Sequence, residues 1–216
     1  MSKQPAVEIF TLFIDAQNIY NSARRAFYSI GDSSCHGQIR PVELAKLIAS
    51  RSPPDVTRQI KEVRIYTRIP DGSKEPKTHS AYTKQANAWR NEGATVISRP
   101  LRYLPDWPNI RAQQKGVDVA IAIDFIAFAI DHLHDVGILA SLDTDLIPAL
   151  EFTLNRPGKT CKIEVIGFDG GKHNKRALRI PGTWCYWLNK DDYGRIADLT
   201  SYGKQEPYTQ LSLPAP

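Results

Sequence analysis

Short apolar runs alternate along the chain with longer segments of helical character. The short runs are rich in β-branched and aromatic residues, which is typical of strands buried on both faces. The predicted strands are residues 8–14, 63–69, 94–98, 136–141 and 162–167, with residues 183–188 as a candidate sixth. The predicted helices are residues 18–28, 41–49, 77–91, 115–132 and 145–155. This alternation predicts a mainly parallel sheet with helices on both faces, an α/β fold.

Two segments stand out against this pattern. Residues 115–132 are apolar almost throughout, so we expect most of the circumference of this helix to be buried. Residues 100–114 form a long proline-containing loop that carries Arg102, Tyr103 and Trp107, and such loops are often functional. These side chains could stack bases and hold phosphates. Alternatively, the loop is packed down by its own aromatic rings, and both interpretations stay open.

Length and composition favour one soluble domain. The 216 residues, 42% hydrophobic and 24% charged, exclude a disordered chain, a collagen-like fibre and a coiled coil. We expect a single domain over residues 1–200 and a loosely held tail over residues 201–216. The sequence contains no apolar run long enough to cross a membrane and no apolar core of a signal peptide. Three widely spaced cysteines form no disulfide framework, so the sequence predicts a cytoplasmic protein.

Charge is distributed in blocks. Residues 56–115 hold 12 Lys and Arg against 5 acids, and residues 156–179 hold 7 against 2. Between them, residues 116–151 hold 7 acids and neither Lys nor Arg. Basic surfaces attract polyanions such as nucleic acids, whereas an acidic and otherwise apolar block suggests carboxylates gathered around a cation.

Several acids fall where strands end. Asp15 follows the first strand, Asp143 and Asp145 follow the fourth, and Asp118 lies in the first turn of the apolar helix. Ligands of open parallel sheets bind at the carboxyl ends of the strands. If the first and fourth strands are neighbours, these carboxylates converge.

Each of these acids also has a structural interpretation. Asp15 could cap the first helix, as could Asn18. Asp145 stands where the next helix needs an N-cap, and Asp118 is favourable near a helix N-terminus because of the helix dipole. Asp124 lies about 240° around the helix from Asp118. We therefore expect Asp124 to be a buried, hydrogen-bonded structural acid rather than a ligand.

Converging carboxylates would have a definite chemistry. Several ionised carboxylates share a small site only with a compensating cation, and oxygen ligands suit Mg²⁺ or Mn²⁺. Such ions can bind a phosphodiester and activate a water, while the basic blocks hold a nucleic-acid backbone. The sequence contains no zinc-ligand spacing, Walker loop or Gly-x-Ser-x-Gly elbow.

Three blocks carry a family resemblance: FIDAQN at residues 13–18, KGVDVAIAID at 115–124 and SLDTDLIP at 141–148. In order and spacing they resemble the signature blocks of the NYN domain family, of the PIN-like nuclease superfamily, and most closely its LabA-like branch. The resemblance covers about residues 9–168. It implies a three-layer α/β/α sandwich with a central parallel sheet, a PIN-like and Rossmann-like fold.

The resemblance also implies a metal-dependent ribonuclease, or descent from one. By motif position, the metal ligands would be Asp15, Asp118 and Asp143, with Mg²⁺ or Mn²⁺ as the cofactor. Asp145 would be a further catalytic acid in an outer position. The substrate, single-stranded RNA, would be positioned by Asn18 and Lys115 and guided by Arg99, Arg102 and Arg111. PIN-like domains often pair, so the resemblance is also compatible with a homodimer.

Two positions depart from the family pattern, and two other functions compete. Leu142 stands where Gly is common and could narrow the approach to Asp143, whereas Leu146 replaces Phe and keeps an apolar side chain. The main alternative is a non-catalytic RNA-binding or regulatory module with the same fold. A haloacid-dehalogenase-type phosphatase would have a second acid two residues after Asp15, and Gln17 stands there instead.

Overall fold

A sheet of seven strands lies at the centre of the structure, a computed structural model that describes residues 5–158, 161–171 and 174–203. The strands are β1 (Ala6–Asp15), β2 (Val56–Ile69), β3 (Thr95–Pro100), β4 (Val136–Ala140), β5 (Lys162–Asp169), β6 (Lys175–Arg176) and β7 (Trp184–Leu188). The helices are α1 (Ala16–Phe27), α2 (Pro41–Ala49), α3 (Pro76–Asn91), α4 (Val117–Ile130), α5 (Ile147–Asn155) and α6 (Lys190–Ile196). None of these helices has both the length and the hydropathy needed to span a lipid bilayer.

The strand order makes β1 the central strand. The order is β3-β2-β1-β4-β5-β6, and β7 pairs with β5 outside this path. The pairings among β1 to β5 and that of β7 are parallel. Among the described strands, only the short β6 pairs antiparallel, with the end of β5. The predicted mainly parallel α/β sheet is confirmed, and so is the candidate sixth strand. Because the chain leaves β1 for β2 in one direction and β4 lies on its other side, the order reverses between β1 and β4, where ligands of such sheets bind.

Successive side chains of β1 pack alternately against two layers of helices, one on each face of the sheet. Side chains of successive strand residues point to opposite faces. Phe10, Leu12 and Ile14 pack in one core with α1, α2, α3 and α6. Phe13 packs in the other, against α4 and α5. These residues are fully buried, so the sheet is covered on both faces, as the continuous apolar strands predicted.

The expectation that α4 would be buried around most of its circumference fails along one stripe. Val119 and Ile123 are 60% and 59% exposed, whereas the other residues of the helix except Ile130 are buried or half-buried against the sheet and α5. The helix is also shorter than predicted. It begins after Gly116, whose φ of 77° is a left-handed conformation that favours glycine, and it ends before His132, whose φ is 54°.

Other boundaries differ for local reasons. β2 begins at Val56 rather than at residue 63, and its first half is mostly polar instead of forming an apolar run. A short 3₁₀ turn, Thr144–Leu146, precedes α5. The unpredicted α6 is only seven residues long and is defined by a capping box between Asn189 and Asp192. Most of the predicted tail, residues 204–216, lies outside the described residues, so the domain boundary stays a prediction.

Candidate functional site

Three carboxylates meet where β1 and β4 end side by side. Asp15, Asp118 and Asp143 each offer one carboxylate oxygen, and these three oxygens lie within 4.8 Å of one another. Asp15 is the last residue of β1 and is only 3% exposed, whereas Asp118 and Asp143 are half-buried. The pairing of β1 with β4 is what brings them together, as the positions of acids at strand ends predicted.

Local backbone structure sets the direction of each carboxylate. Asp15 caps α1, because its Oδ1 accepts a hydrogen bond of 2.9 Å from the backbone N–H of Asn18. Asp143 caps the 3₁₀ turn by accepting one of 3.1 Å from the N–H of Asp145. Asp118 lies in the first turn of α4, just after the left-handed Gly116. All three acids therefore stand at helix starts, where the helix dipole favours negative charge.

The protein itself leaves these charges poorly compensated. Burial raises the pKa of Asp15 from 3.8 to about 6, and the negative charges of Asp118 and Asp143 add to the rise despite the hydrogen bond from Asn18. Burial likewise raises the pKa of Asp118, together with the charge of Asp143. Among the described residues, no Lys or Arg forms an ion pair with any of the three. The arrangement is compatible with a bound cation.

Asp145 and Asn18 are near the cluster but differ in position from its three members. Asp145 is exposed and is not one of the three converging acids. The expectation that it would be the N-cap is wrong: Asp143 provides the cap, because the helical segment begins at Thr144. Asn18 is not the cap of α1 either. Its Oδ1 instead accepts a hydrogen bond of 2.8 Å from the backbone N–H of Leu142.

Asp124 has the structural role expected of it, at a half-buried position. Its Oδ2 accepts hydrogen bonds from Arg64 at 2.8 Å and from the Tyr66 hydroxyl at 2.7 Å. It is absent from the acidic cluster, as its angular position on α4 required.

The predicted RNA-guiding side chains are all exposed, in two places. Lys115 directly precedes Gly116 at the start of α4. Arg99 lies at the carboxyl end of β3, two strands from β1 and therefore about 10 Å away across the sheet. Arg102 and Arg111 lie in the loop after β3, where Arg102 forms an isolated bridge with Gln113. Their role toward RNA stays a prediction.

The aromatic rings of that loop are engaged within the protein. The Tyr103 hydroxyl donates to Glu75 at 2.7 Å and accepts from the N–H of Asp71 at 3.0 Å. Trp107 packs edge-on against Tyr103 with ring centroids 5.0 Å apart. Of the two open interpretations, the structure favours a loop held down by its own aromatic residues.

A second group of basic residues lines a cavity beside the acidic cluster, and sequence reasoning did not select it. Arg25 on α1 and Arg176 and Arg179 after β5 line this cavity together with Asn18 and Leu142. The basic block at residues 156–179 was the available signal. No signal in the sequence indicated Arg25, because it reaches this cavity only through the packing of α1 beside β5.

The comparisons with known proteins agree with this geometry. No curated protein matches the chain significantly. A crystal structure of a protein of unknown function from Vibrio parahaemolyticus matches with a TM-score of 0.50 at 21% identity, over 77% of this chain and 84% of that one, a likeness of fold. The sequence profile of the NYN domain matches residues 10–180, which include all three converging acids. The chain therefore belongs to the NYN domain family, within the PIN-like superfamily.

Proposed function

We propose that this protein is a Mg²⁺- or Mn²⁺-dependent ribonuclease that hydrolyses phosphodiester bonds of single-stranded RNA. The observation that carries the proposal is the convergence of Asp15, Asp118 and Asp143 at the switch point between β1 and β4 of an NYN domain. Ligands of such sheets bind at this edge, so an RNA strand that reaches it meets all three carboxylates.

The donor set fits a hard divalent cation. The three groups are carboxylates only, which suits Mg²⁺ or Mn²⁺ rather than a softer metal. Burial, and in addition the negative charges of Asp118 and Asp143, raise the pKa of Asp15, and a bound cation would favour its ionised form. When bound, such an ion supplies Lewis-acid activation of the phosphodiester and of an attacking water.

Residues around the cluster have supporting roles in this proposal. Asp145 is an outer acid that adds negative charge beside Asp118. Asn18 ties the loop after β4 to α1 through Leu142. Lys115 and the arginines at positions 99, 102 and 111 are exposed cations that draw the RNA backbone toward the acids.

The cellular setting belongs to the same proposal. Cys35 and Cys185 are free thiols, which agrees with a reducing cytoplasm. Membership of the LabA-like branch and formation of a homodimer stay predictions.

A cleavage assay on labelled single-stranded RNA tests the function. Wild type, Asp143→Asn and the control Glu151→Gln are compared with Mn²⁺, with Mg²⁺ and with EDTA. Glu151 is an exposed acid of the same acidic block outside the cluster. We expect cleavage that requires the metal, persists in Glu151→Gln and falls on the order of 100-fold or more in Asp143→Asn.

Two results would contradict the proposal. Undiminished cleavage by a folded Asp143→Asn would remove the acidic cluster from the reaction. RNA binding that needs no metal, without cleavage by wild type, would establish the regulatory module instead.

A further inference from the structure

A cavity of about 400 Å³ opens beside the acidic cluster, between α1 and the chain that follows β5. Asn18 and Leu142 line it. Leu142 directly precedes Asp143, and Asn18 lies one helical turn after Asp15, so the cavity adjoins two of the three acids. No Asp or Glu is among the described residues of its walls.

Three of the four described basic side chains that line this cavity are available to bind a ligand. Arg25, Arg176 and Arg179 line it and are exposed. Within the described part of the chain, none of their guanidinium groups has a hydrogen bond or an ion pair. Lys175 differs from them, since its ammonium group pairs with Asp169 at 3.0 Å and lies over the Trp187 ring.

Two contacts hold the walls of the cavity in place. The Asn174 side-chain amide donates a hydrogen bond of 2.6 Å to the carbonyl oxygen of Arg25. Gly170 lies so close to α1 that a Cβ there would come within 2.5 Å of the carbonyl oxygen of Ala26. Gly170 and Asn174 thus lie against the end of α1, and these contacts hold the backbone of Arg25 on the same cavity as Arg176 and Arg179.

Asn18 adds a directed donor at the boundary with the acids. Because its Oδ1 accepts from Leu142, its NH₂ group is left for another acceptor, and no described residue occupies it. Three guanidinium groups and an amide donor form a site for an anion with several oxygens, and guanidinium geometry matches phosphate.

We infer that this cavity binds the backbone phosphate next to the scissile bond of an RNA strand whose scissile phosphate lies at the acidic cluster. The inference rests on the proposed function and adds to it the residues that hold the neighbouring nucleotide. The guanidinium groups of Arg25, Arg176 and Arg179 neutralise that phosphate. The amide of Asn18 contacts the part of the RNA backbone that joins this phosphate to the scissile phosphate.

RNA binding at varied salt concentration tests the inference. The triple variant Arg25→Gln/Arg176→Gln/Arg179→Gln is made in an Asp143→Asn background, so that a labelled single-stranded RNA oligonucleotide is bound without being cut. Each neutralised phosphate on a single strand contributes about 0.7 to the slope of log affinity against log salt. Because the cavity holds one phosphate, we expect the slope to become shallower by about 0.7 and affinity at low salt to fall at least tenfold.

The control is a triple variant with the same change of charge, Lys84→Gln/Arg90→Gln/Arg195→Gln. These residues are exposed and lie outside the cavity, so the slope should change by much less. An equal change in both triple variants, or an unchanged slope in the cavity variant, would overturn the inference. If the cavity triple does not fold, Arg176→Gln and Arg179→Gln are measured singly, and we expect each to lower affinity at low salt and to change the slope by no more than about 0.7.

RNA cleavage by the cavity triple variant, made with Asp143 intact, separates the inference from the proposed function. Metal-dependent cleavage with an unchanged KM in the cavity variant would overturn the inference and leave the ribonuclease in place. Loss of RNA binding in the cavity variant, together with no cleavage by wild type, would support the phosphate site and refute the ribonuclease.

Discussion

The side chain of Asn18 on α1 and the backbone of Leu142 after β4 are joined by a hydrogen bond of 2.8 Å. It links the first turn of α1, which Asp15 caps, to the loop after β4 that carries Asp143. The two acids are otherwise positioned by separate caps. Asn18 is therefore a positioning residue that fixes the loop of Asp143 relative to the start of α1.

Replacement of Asn18 by alanine should separate the start of α1 from the loop after β4. Asn18→Ala removes the acceptor and leaves the N–H of Leu142 without its partner, which should lower the free energy of unfolding by about 1–2 kcal/mol. We expect RNA cleavage to fall more than stability alone explains, because the acids lose their fixed spacing. Urea unfolding and the cleavage rate measure the two effects. Asn87→Ala, an exposed position on α3, should change neither by a comparable amount.

The acidic cluster should destabilise the metal-free protein. Asp118→Asn removes one of three mutually repelling carboxylates, and burial and the charge of Asp143 already raise the pKa of Asp118. We therefore expect the variant to unfold at a higher temperature than wild type in EDTA, by roughly 2–4 °C for a gain of about 1 kcal/mol. A melting temperature below that of wild type would show that Asp118 is a stabilising helix-cap acid instead.

The sequence predicted the acidic cluster because its geometry follows from simple rules. A parallel sheet collects the carboxyl ends of its strands at one edge, so Asp15 and Asp143 needed only neighbouring strands to meet. The position of Asp118 in the first turn of α4 followed from the start of the apolar segment. The angular spacing along that helix also separated Asp124 correctly from the cluster.

Other features depend on contacts that no local pattern records. Arg25 joins Arg176 and Arg179 only because α1 packs beside the hairpin after β5. The exposure of Val119 and Ile123 could not be predicted because an all-apolar segment does not indicate which of its faces is covered. Asp143 rather than Asp145 became the cap because the helical segment begins with a 3₁₀ turn at Thr144.

His134 should make stability depend on pH. It is 5% exposed, neither ring nitrogen has a hydrogen-bond partner in the described structure, and burial lowers its pKa from 6.5 to about 4. Between pH 4 and pH 6.5, His134 therefore binds a proton in the unfolded chain but not in the folded protein. The contribution of His134 to the free energy of unfolding is fully present above pH 6.5 and is lost as pH decreases toward 4. Between pH 7.5 and pH 5 the loss is about 2 kcal/mol.

The comparison of wild type with His134→Leu isolates this effect in urea unfolding at the two pH values. Asp15 contributes with the opposite sign, because its pKa in the folded protein is raised, and this contribution is common to both proteins. We expect the advantage of His134→Leu over wild type to be greater by about 2 kcal/mol at pH 5 than at pH 7.5. A difference that does not depend on pH would exclude His134 as the responsible group.

A buried ion network at the other end of the sheet should be needed for stability. Arg58 donates two hydrogen bonds, of 3.0 and 2.8 Å, to the carboxylate of Glu164 and also pairs with Glu8. Arg58→Leu leaves the buried carboxylate of Glu164 without its cation, whereas Glu8 keeps its ion pair with Lys162. The loss should cost about 3–5 kcal/mol in unfolding free energy. The double variant Arg58→Leu/Glu164→Leu should recover part of this loss. Equal stabilities of wild type and Arg58→Leu would contradict the role of the network.

Calorimetric titration with Mn²⁺ at pH 7.5 tests most directly that Asp15, Asp118 and Asp143 form a metal centre. Wild type, Asp143→Asn and Glu151→Gln are compared after removal of bound metal with EDTA and dialysis. We predict saturable binding by wild type and Glu151→Gln, and at least tenfold weaker binding by Asp143→Asn with its fold intact. Equal Mn²⁺ binding by Asp143→Asn and wild type, or no saturable binding by wild type, would contradict the account.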